Sequence, residues 1–344
     1  MTVNSATKGN AAAGNRFAGV ATELSLLAVL VIMVIIFAAA SPFFLTVTNL
    51  VNIGQTIATS GIVAITMTLV IVSGGIDLSV GSTAALTGVV TSMLWTFAGV
   101  PLALAAVLGI LAGALVGAIN GFMVTRIKIN PLIATLAMFS IVRGVAFVIS
   151  AGQTNQLNND AFKFLGRGAI AGVPFSLIIL IVVFAVFSYV VANTRFGRNV
   201  FAIGGNAEAA RLAGIRSNRT LMSVYVLSGL FAGIAGILIA SQLALSAPRA
   251  AVGLELTAIA AVVLGGTSLS GGKGTLLGTI LGVLILRILD NGLVLLNVSS
   301  FYQEVASGLV LLLAVGFDQL RQRIGAVMSE DQPILEMRRV GERS

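Results

Sequence analysis

No cysteine and no histidine occur anywhere in the 344 residues. The first absence removes disulfides, thiol nucleophiles and thiolate metal sites. The second removes the commonest general base and metal ligand. Charge is almost as scarce: 9% of residues are Asp, Glu, Lys or Arg, where a soluble domain carries about 25%. Residues 24–76 and 78–125 contain no charged residue at all. What fills these stretches is apolar, 57% of the chain, together with 39 glycines. A helix needs about 20 apolar residues to cross a bilayer, so each uncharged run must hold more than one crossing. The short alternating segments of a membrane β-barrel are missing. The reading is an all-α polytopic membrane protein with its helices in a glycine-packed bundle.

The net charge of +8 could point to nucleic acid. The basic residues, however, cluster between the apolar runs, where insertion topology accounts for them. No nucleic-acid partner is expected. Ala38-Ala39-Ala40 resembles a signal-peptidase site, but the long polar leader and the long apolar stretch 24–40 favour an uncleaved first helix.

Polar punctuation divides the chain into about ten spans, at 22–41, 54–73, 78–98, 100–123, 130–150, 173–193, 221–241, 255–270, 275–296 and 300–318. With the N-terminus inside, fifteen of the 20 basic residues fall in cytoplasmic segments. Three fall outside (Lys163, Arg167, Arg249) and two within spans (Arg143, Arg287). That asymmetry places both termini in the cytoplasm and makes the count even, eight or ten, with ten fitting the run lengths better. The organisation is then a cytoplasmic segment 1–20, a membrane domain 21–320 with a long cytoplasmic loop 194–220, and a cytoplasmic tail 321–344, expected to be disordered from Gly325 onward.

Lipid gives helices no hydrophobic drive to associate, so close backbone contact must do so. Gly109, Gly113, Gly117 and Gly121 form one helical ladder, and Gly229/Gly233 and Gly278/Gly282 repeat the spacing. These are packing faces, toward either a neighbour in the chain or a second subunit. Ser73–Ser82 and Ser270–Thr279 both read S-G-G-x5-G-[S/T], through either an ancestral repeat or the chance matches of glycine-rich sequence.

Several kinds of chemistry fail on inspection. GGTSLSGGKGT (Gly265–Thr275) looks like a phosphate loop, but Gly274 follows Lys273 where a hydroxyl is needed to hold Mg²⁺. An intramembrane protease lacks either its histidine or a properly set pair of aspartates. No enzymatic activity, metal or cofactor is expected.

The charges that do lie in the membrane are Arg143, Glu255, Arg287, Asp290 and Glu304, with Asp77 at an expected helix break. Each costs about 2.5–3.5 kcal/mol at a helix centre, so each needs a partner or water. Arg287 and Asp290 are spaced to pair on one helix face. Asp77 follows Gly74-Gly75 and precedes Ser79, an arrangement suited to capping a helix N-terminus or to lining a solute path. Gln55, Asn120 and Asn291 are further candidates for a path.

The loop Asn193–Leu221 carries five arginines and one glutamate. Within it NAEAARLAGI forms a short amphipathic helix, with Ala209, Leu212 and Ala213 able to share one face. Such a segment could rest on lipid, but its two turns and flanking glycines suit docking into a groove on another protein.

SGGIDLSVGS, then RFGRNVFAIGGNAEAARLAGI, then GGTSLSGGKGT, in that order over residues 40–318, resemble the permease subunits of ribose-type monosaccharide ABC importers. The resemblance implies a multi-pass protein of the bacterial cytoplasmic membrane, paired with a second copy or a related permease. It implies a cytoplasmic ATP-binding cassette subunit as motor and an extracytoplasmic sugar-binding protein that delivers the cargo. It assigns ATPase docking to Glu208, Ala209, Ala210, Arg211, Leu212 and Gly214. A cargo such as a polyol or nucleoside, or a self-contained ion-coupled transporter, stays open at this point.

Overall fold

The computed structural model describes residues 6–299 and, beyond them, residues 301–303, 305, 306, 308, 309, 312 and 316, with side chains from Glu23 onward. Twelve α-helices follow one another among the described residues: α1 (Ala6–Ala40), α2 (Val47–Val72), α3 (Val80–Thr96), α4 (Leu102–Phe122), α5 (Pro131–Ile149), α6 (Asp160–Arg167), α7 (Phe175–Asn193), α8 (Arg195–Gly205), α9 (Ala207–Leu212), α10 (Ser217–Leu243), α11 (Leu254–Leu264) and α12 (Leu276–Leu295). Two pairs of two-residue strands join them: β1 (Asn155–Gln156) with β4 (Leu245–Ser246), and β2 (Ala169–Ile170) with β3 (Val173–Pro174).

Helix starts are set by local chemistry. Thr46, Asn130, Asn159, Thr194, Asn206 and Thr275 each accept a hydrogen bond from a backbone N–H in the first turn of α2, α5, α6, α8, α9 and α12, satisfying donors that have no partner inside the helix. Pro131 at the first position of α5 gives up no hydrogen bond there. Past Phe122, α4 widens into a π turn, Met123–Ile127, and stops at Lys128 in the left-handed conformation.

Among the described residues, seven helices are long and apolar enough to cross a membrane: α1, α2, α4 with its π turn, α5, α7, α10 and α12. Two of the expected spans come out shorter. The run at 78–98 forms a helix of 17 residues and the run at 255–270 one of 11. The first is delayed because Gly74 turns left-handed (φ 86°) and the chain stays irregular through Asp77. The second ends because Gly265 and left-handed Gly266 stop it. The expected span 300–318 lies largely outside the described residues. The segment 151–172, between two expected spans, holds β1, α6 and the β2–β3 hairpin. That hairpin turns through Ala171 and Gly172, both at positive φ, as a tight two-residue turn requires.

The bundle is ordered around α2, buried without interruption from Ile57 to Ser73 and packed on α7, α10, α11 and α12. On the periphery, α1, α4, α5 and α7 turn large apolar residues outward, among them Ile32, Ile35, Leu115, Val148, Val182 and Val186. Small and hydroxyl residues face inward instead, as expected where lipid is the solvent. The glycine ladder serves a neighbour in the same chain. Gly113, Gly117 and Gly121 face α10, where a Cβ on Gly117 would strike the Tyr225 carbonyl, and Gly229 and Gly233 return the contact from α10. Gly109 lies against Thr87 and Thr91 of α3, and Gly278 and Gly282 bring α12 onto α11.

Candidate functional site

Asp77 is 1% exposed and sits three residues before α3. Its Oδ1 accepts from the Ser79 backbone N–H at 3.0 Å and the Ser79 hydroxyl at 2.7 Å, with Asn120 Nδ2 of α4 at 3.5 Å. Its Oδ2 accepts from the Ser228 hydroxyl of α10 at 2.7 Å, and Asn120 Nδ2 also donates to Ser79 Oγ at 2.8 Å. The carboxylate therefore ties the start of α3 to α4 and α10 in one buried network. Gly75 belongs to the same place: a Cβ there would run into the Tyr225 hydroxyl. Ser79 contributes its donors to Asp77 and does not itself cap α3 with its side chain.

A second half-length helix starts at the same level. The chain leaves α10 at left-handed Ala244 and runs back along α3: Ser246 donates to Ser92 at 2.6 Å, and the Ala251 carbonyl and the Glu255 carboxylate lie against Gly81. Arg143 of α5 holds this returning segment through its Nη1, which donates to Pro248 O at 2.7 Å and Ala250 O at 2.8 Å. Glu255, in the first turn of α11, accepts from the Gly253 N–H at 3.2 Å. Both buried carboxylates thus stand at N-termini of short helices, where the free N–H groups and the helix dipole favour negative charge.

The other candidates separate. Asn291 of α12 forms two reciprocal side-chain hydrogen bonds with Asn49 of α2, at 2.8 and 2.9 Å, a lock between helices. Gln55 is half-buried on α2, its main-chain oxygen accepting from Gln242 at 3.2 Å. Arg287 and Asp290 pair at 3.0 Å, and Arg287 Nε donates to Ser60 Oγ of α2 at 2.7 Å. These three line a cavity of about 810 Å³ between α2, α11 and α12, with Thr56, Thr59 and Thr257.

At the far end of α2, just before the first glycine-bearing motif, the other two meet its last residue as bare backbone. Gly272 N–H donates to Val72 O at 2.8 Å. Gly204 is so close to Val72 O and Gly272 N that no side chain fits. From this junction α8 leads into α9, which stands at the surface. Asn206 caps it through Ala209 N at 2.9 Å, and Glu208 pairs with Arg211 at 2.6 Å. That pairing holds the Glu208 carboxyl below its usual range and the Arg211 guanidinium above its own. Ala210 is the buried seat of the helix, and Gly214 closes it at φ 78°. Ala209, Leu212 and Ala213 face outward, with Leu212 74% exposed. The apolar face is presented to the surroundings rather than laid on the bundle.

Sequence reasoning missed Ser228, Asn49 and Ser60, each the distant partner of a residue it singled out. Ser228 precedes the Gly229 packing position, the one local sign that it faces another helix.

Membrane-length helices around short ones that start in the interior, with polar side chains gathered there, make this a membrane transport protein. The chain belongs to the family described as branched-chain amino acid transport system / permease component, whose model matches residues 49–315. It is 45% identical over 306 residues to the ribose import permease protein RbsC of Escherichia coli K12, covering 87% of this chain and 94% of that relative. It is 43% identical over 298 residues to the L-arabinose ABC transporter permease protein AraH of Azospirillum brasilense, covering 86% and 87%. RbsC of Bacillus subtilis is 43% identical over 305 residues, 88% of this chain and 94% of that one. No solved structure matches the chain.

Proposed function

We propose that this protein is the membrane-spanning permease subunit of an ATP-driven importer in the bacterial cytoplasmic membrane, and that its cargo is a monosaccharide. The relatives named for ribose and arabinose support the cargo class. In this reading the chain crosses the membrane ten times, with α3, α11 and the segment 300–318 completing the count. Both termini and α9 lie in the cytoplasm, in keeping with the distribution of Lys and Arg. The chain has no phosphate loop of its own, since Gly274 follows Lys273. The energy therefore comes from a cytoplasmic ATP-binding cassette subunit. An extracytoplasmic sugar-binding protein delivers the cargo, and a second copy or a related permease completes the path. Gly74, Gly75, Asp77, Ser79 and Asn120 form the helix break at the core, Asn291 braces α12 against α2, and Gln55 stands on the path side of α2.

The observation that carries the reading is α9: two turns, apolar residues outward, an ion pair on its flank, and a base fixed to α2 through glycine backbone. A short helix presenting an apolar face fits a groove on another protein. In the reconstituted complex, Leu212→Asp is expected to abolish stimulation of ATP hydrolysis by the loaded binding protein, while the purified permease keeps its melting temperature. Full stimulation with Leu212→Asp would contradict docking through α9.

A further inference from the structure

We infer that the cavity between α2, α11 and α12 is the site where the cargo's hydroxyl groups are held as it crosses; this rests on the permease reading. The first argument is the exposure of charge. Arg287 and Asp290 lie within the membrane-length helix α12, yet their side chains keep 21% and 29% of their surface. A charged side chain turned to hydrocarbon costs about 2.5–3.5 kcal/mol, so this face of α12 looks onto water.

The second argument is the lining. Thr59 and Ser60 lie three and four residues beyond Thr56, on the cavity side of α2. Thr257 of α11 and Gln303 add polar groups from other segments. Hydroxyl and amide groups both donate and accept, a guanidinium donates and a carboxylate accepts, so the wall matches a molecule with hydroxyl groups on most of its carbons. Leu254, Ala260 and Leu286 supply apolar surface for its C–H faces.

Size agrees as well. At about 810 Å³ the cavity falls in the range of roughly 300–1,000 Å³ typical of small-molecule sites, with room for a sugar and several waters. The Ser60–Arg287–Asp290 chain of hydrogen bonds fixes the guanidinium on the wall and keeps it from closing the space.

The absence of cysteine makes the test direct, because Thr56→Cys and Thr257→Cys each carry the sole thiol of the chain. In vesicles holding the assembled importer, both variants are treated with a cationic, membrane-impermeant methanethiosulfonate. Val182→Cys, on the outward face of α7, is the control. Both cavity thiols are expected to react at least tenfold faster than the control. Reaction at the control rate would overturn the inference while leaving the α9 experiment, and the permease reading with it, untouched. Thr257→Val, which preserves shape and removes one hydroxyl, is expected to raise the KM for ribose uptake about fivefold, the worth of one hydrogen bond. An unchanged KM would show that the cavity is wet but is not the cargo's site.

Discussion

Replacing Asp77 separates a brace from a path residue. The carboxylate is buried and its recorded partners are all donors: the Ser79 N–H and hydroxyl, the Ser228 hydroxyl and the Asn120 amide. Asp77→Asn keeps one acceptor oxygen toward Ser79 and puts an NH₂ opposite Ser228, whose hydroxyl can rotate to accept. The number of bonds survives and only the charge assistance is lost, about 1 kcal/mol on each of the three short bonds from Ser79 and Ser228. Removing a buried charge offsets part of that, leaving a net loss of about 1–2 kcal/mol. Asp77→Ala strips every acceptor. It orphans the Ser79 N–H, weakens the hold on Asn120 and Ser228, and opens a small void, for about 3–5 kcal/mol in all. That approaches the whole margin of a folded protein, roughly 5–15 kcal/mol. The assay is membrane abundance and melting temperature of the purified permease, read beside uptake. The expected order is wild type, then Asn, then Ala, with uptake following abundance. Wild-type abundance and melting for Asp77→Ala would refute the brace. Intact melting with lost uptake for Asp77→Asn would move Asp77 onto the solute path.

Two further predictions concern packing. Gly117→Ala places a methyl group against the Tyr225 carbonyl and is expected to lower the melting temperature, by about 1–3 kcal/mol of overpacking. Gly144→Ala, which meets nothing within 4 Å, should leave the melting temperature unchanged, and equal effects of the two would show that the ladder is not the packing face. Asn49→Ala and Asn291→Ala should each cost about 1–3 kcal/mol by stranding the other amide. A double-mutant cycle on denaturation should show strong coupling between them, and additive losses would deny the lock.

Composition alone marks the long helices, because a long apolar stretch has no other way to satisfy its backbone in lipid; the count of ten spans also takes in the runs at 78–98 and 255–270, which form shorter helices. Interior starts were harder to place. Asp77 behind a glycine pair marked the break before α3, since a carboxylate and a flexible turn are the chemistry of a helix start. The early end of α11 was blurred by the apolar run that continues to Gly265. Segment 151–172 gives no such signal, because α6 and the hairpin are too short and too polar for a membrane pattern. At the site, single residues were legible and their partners were not. Ser228 is 151 positions from Asp77 and Ser60 is 227 from Arg287, distances that no local spacing rule spans. The outward turn of Ala209 and Leu212 depends on Ala210 taking the inner seat, which the helical period allows but does not choose.

The meeting of Val72, Gly204 and Gly272 bears on how a push at the surface would reach the interior. Main chain lies on main chain there, with no side-chain rotamers between the parts to swing aside and absorb displacement. A movement imposed on α9 would therefore reach the end of α2 with little slack. From there α2 runs as one unbroken helix to Ser60 at its middle and Thr56 a turn beyond.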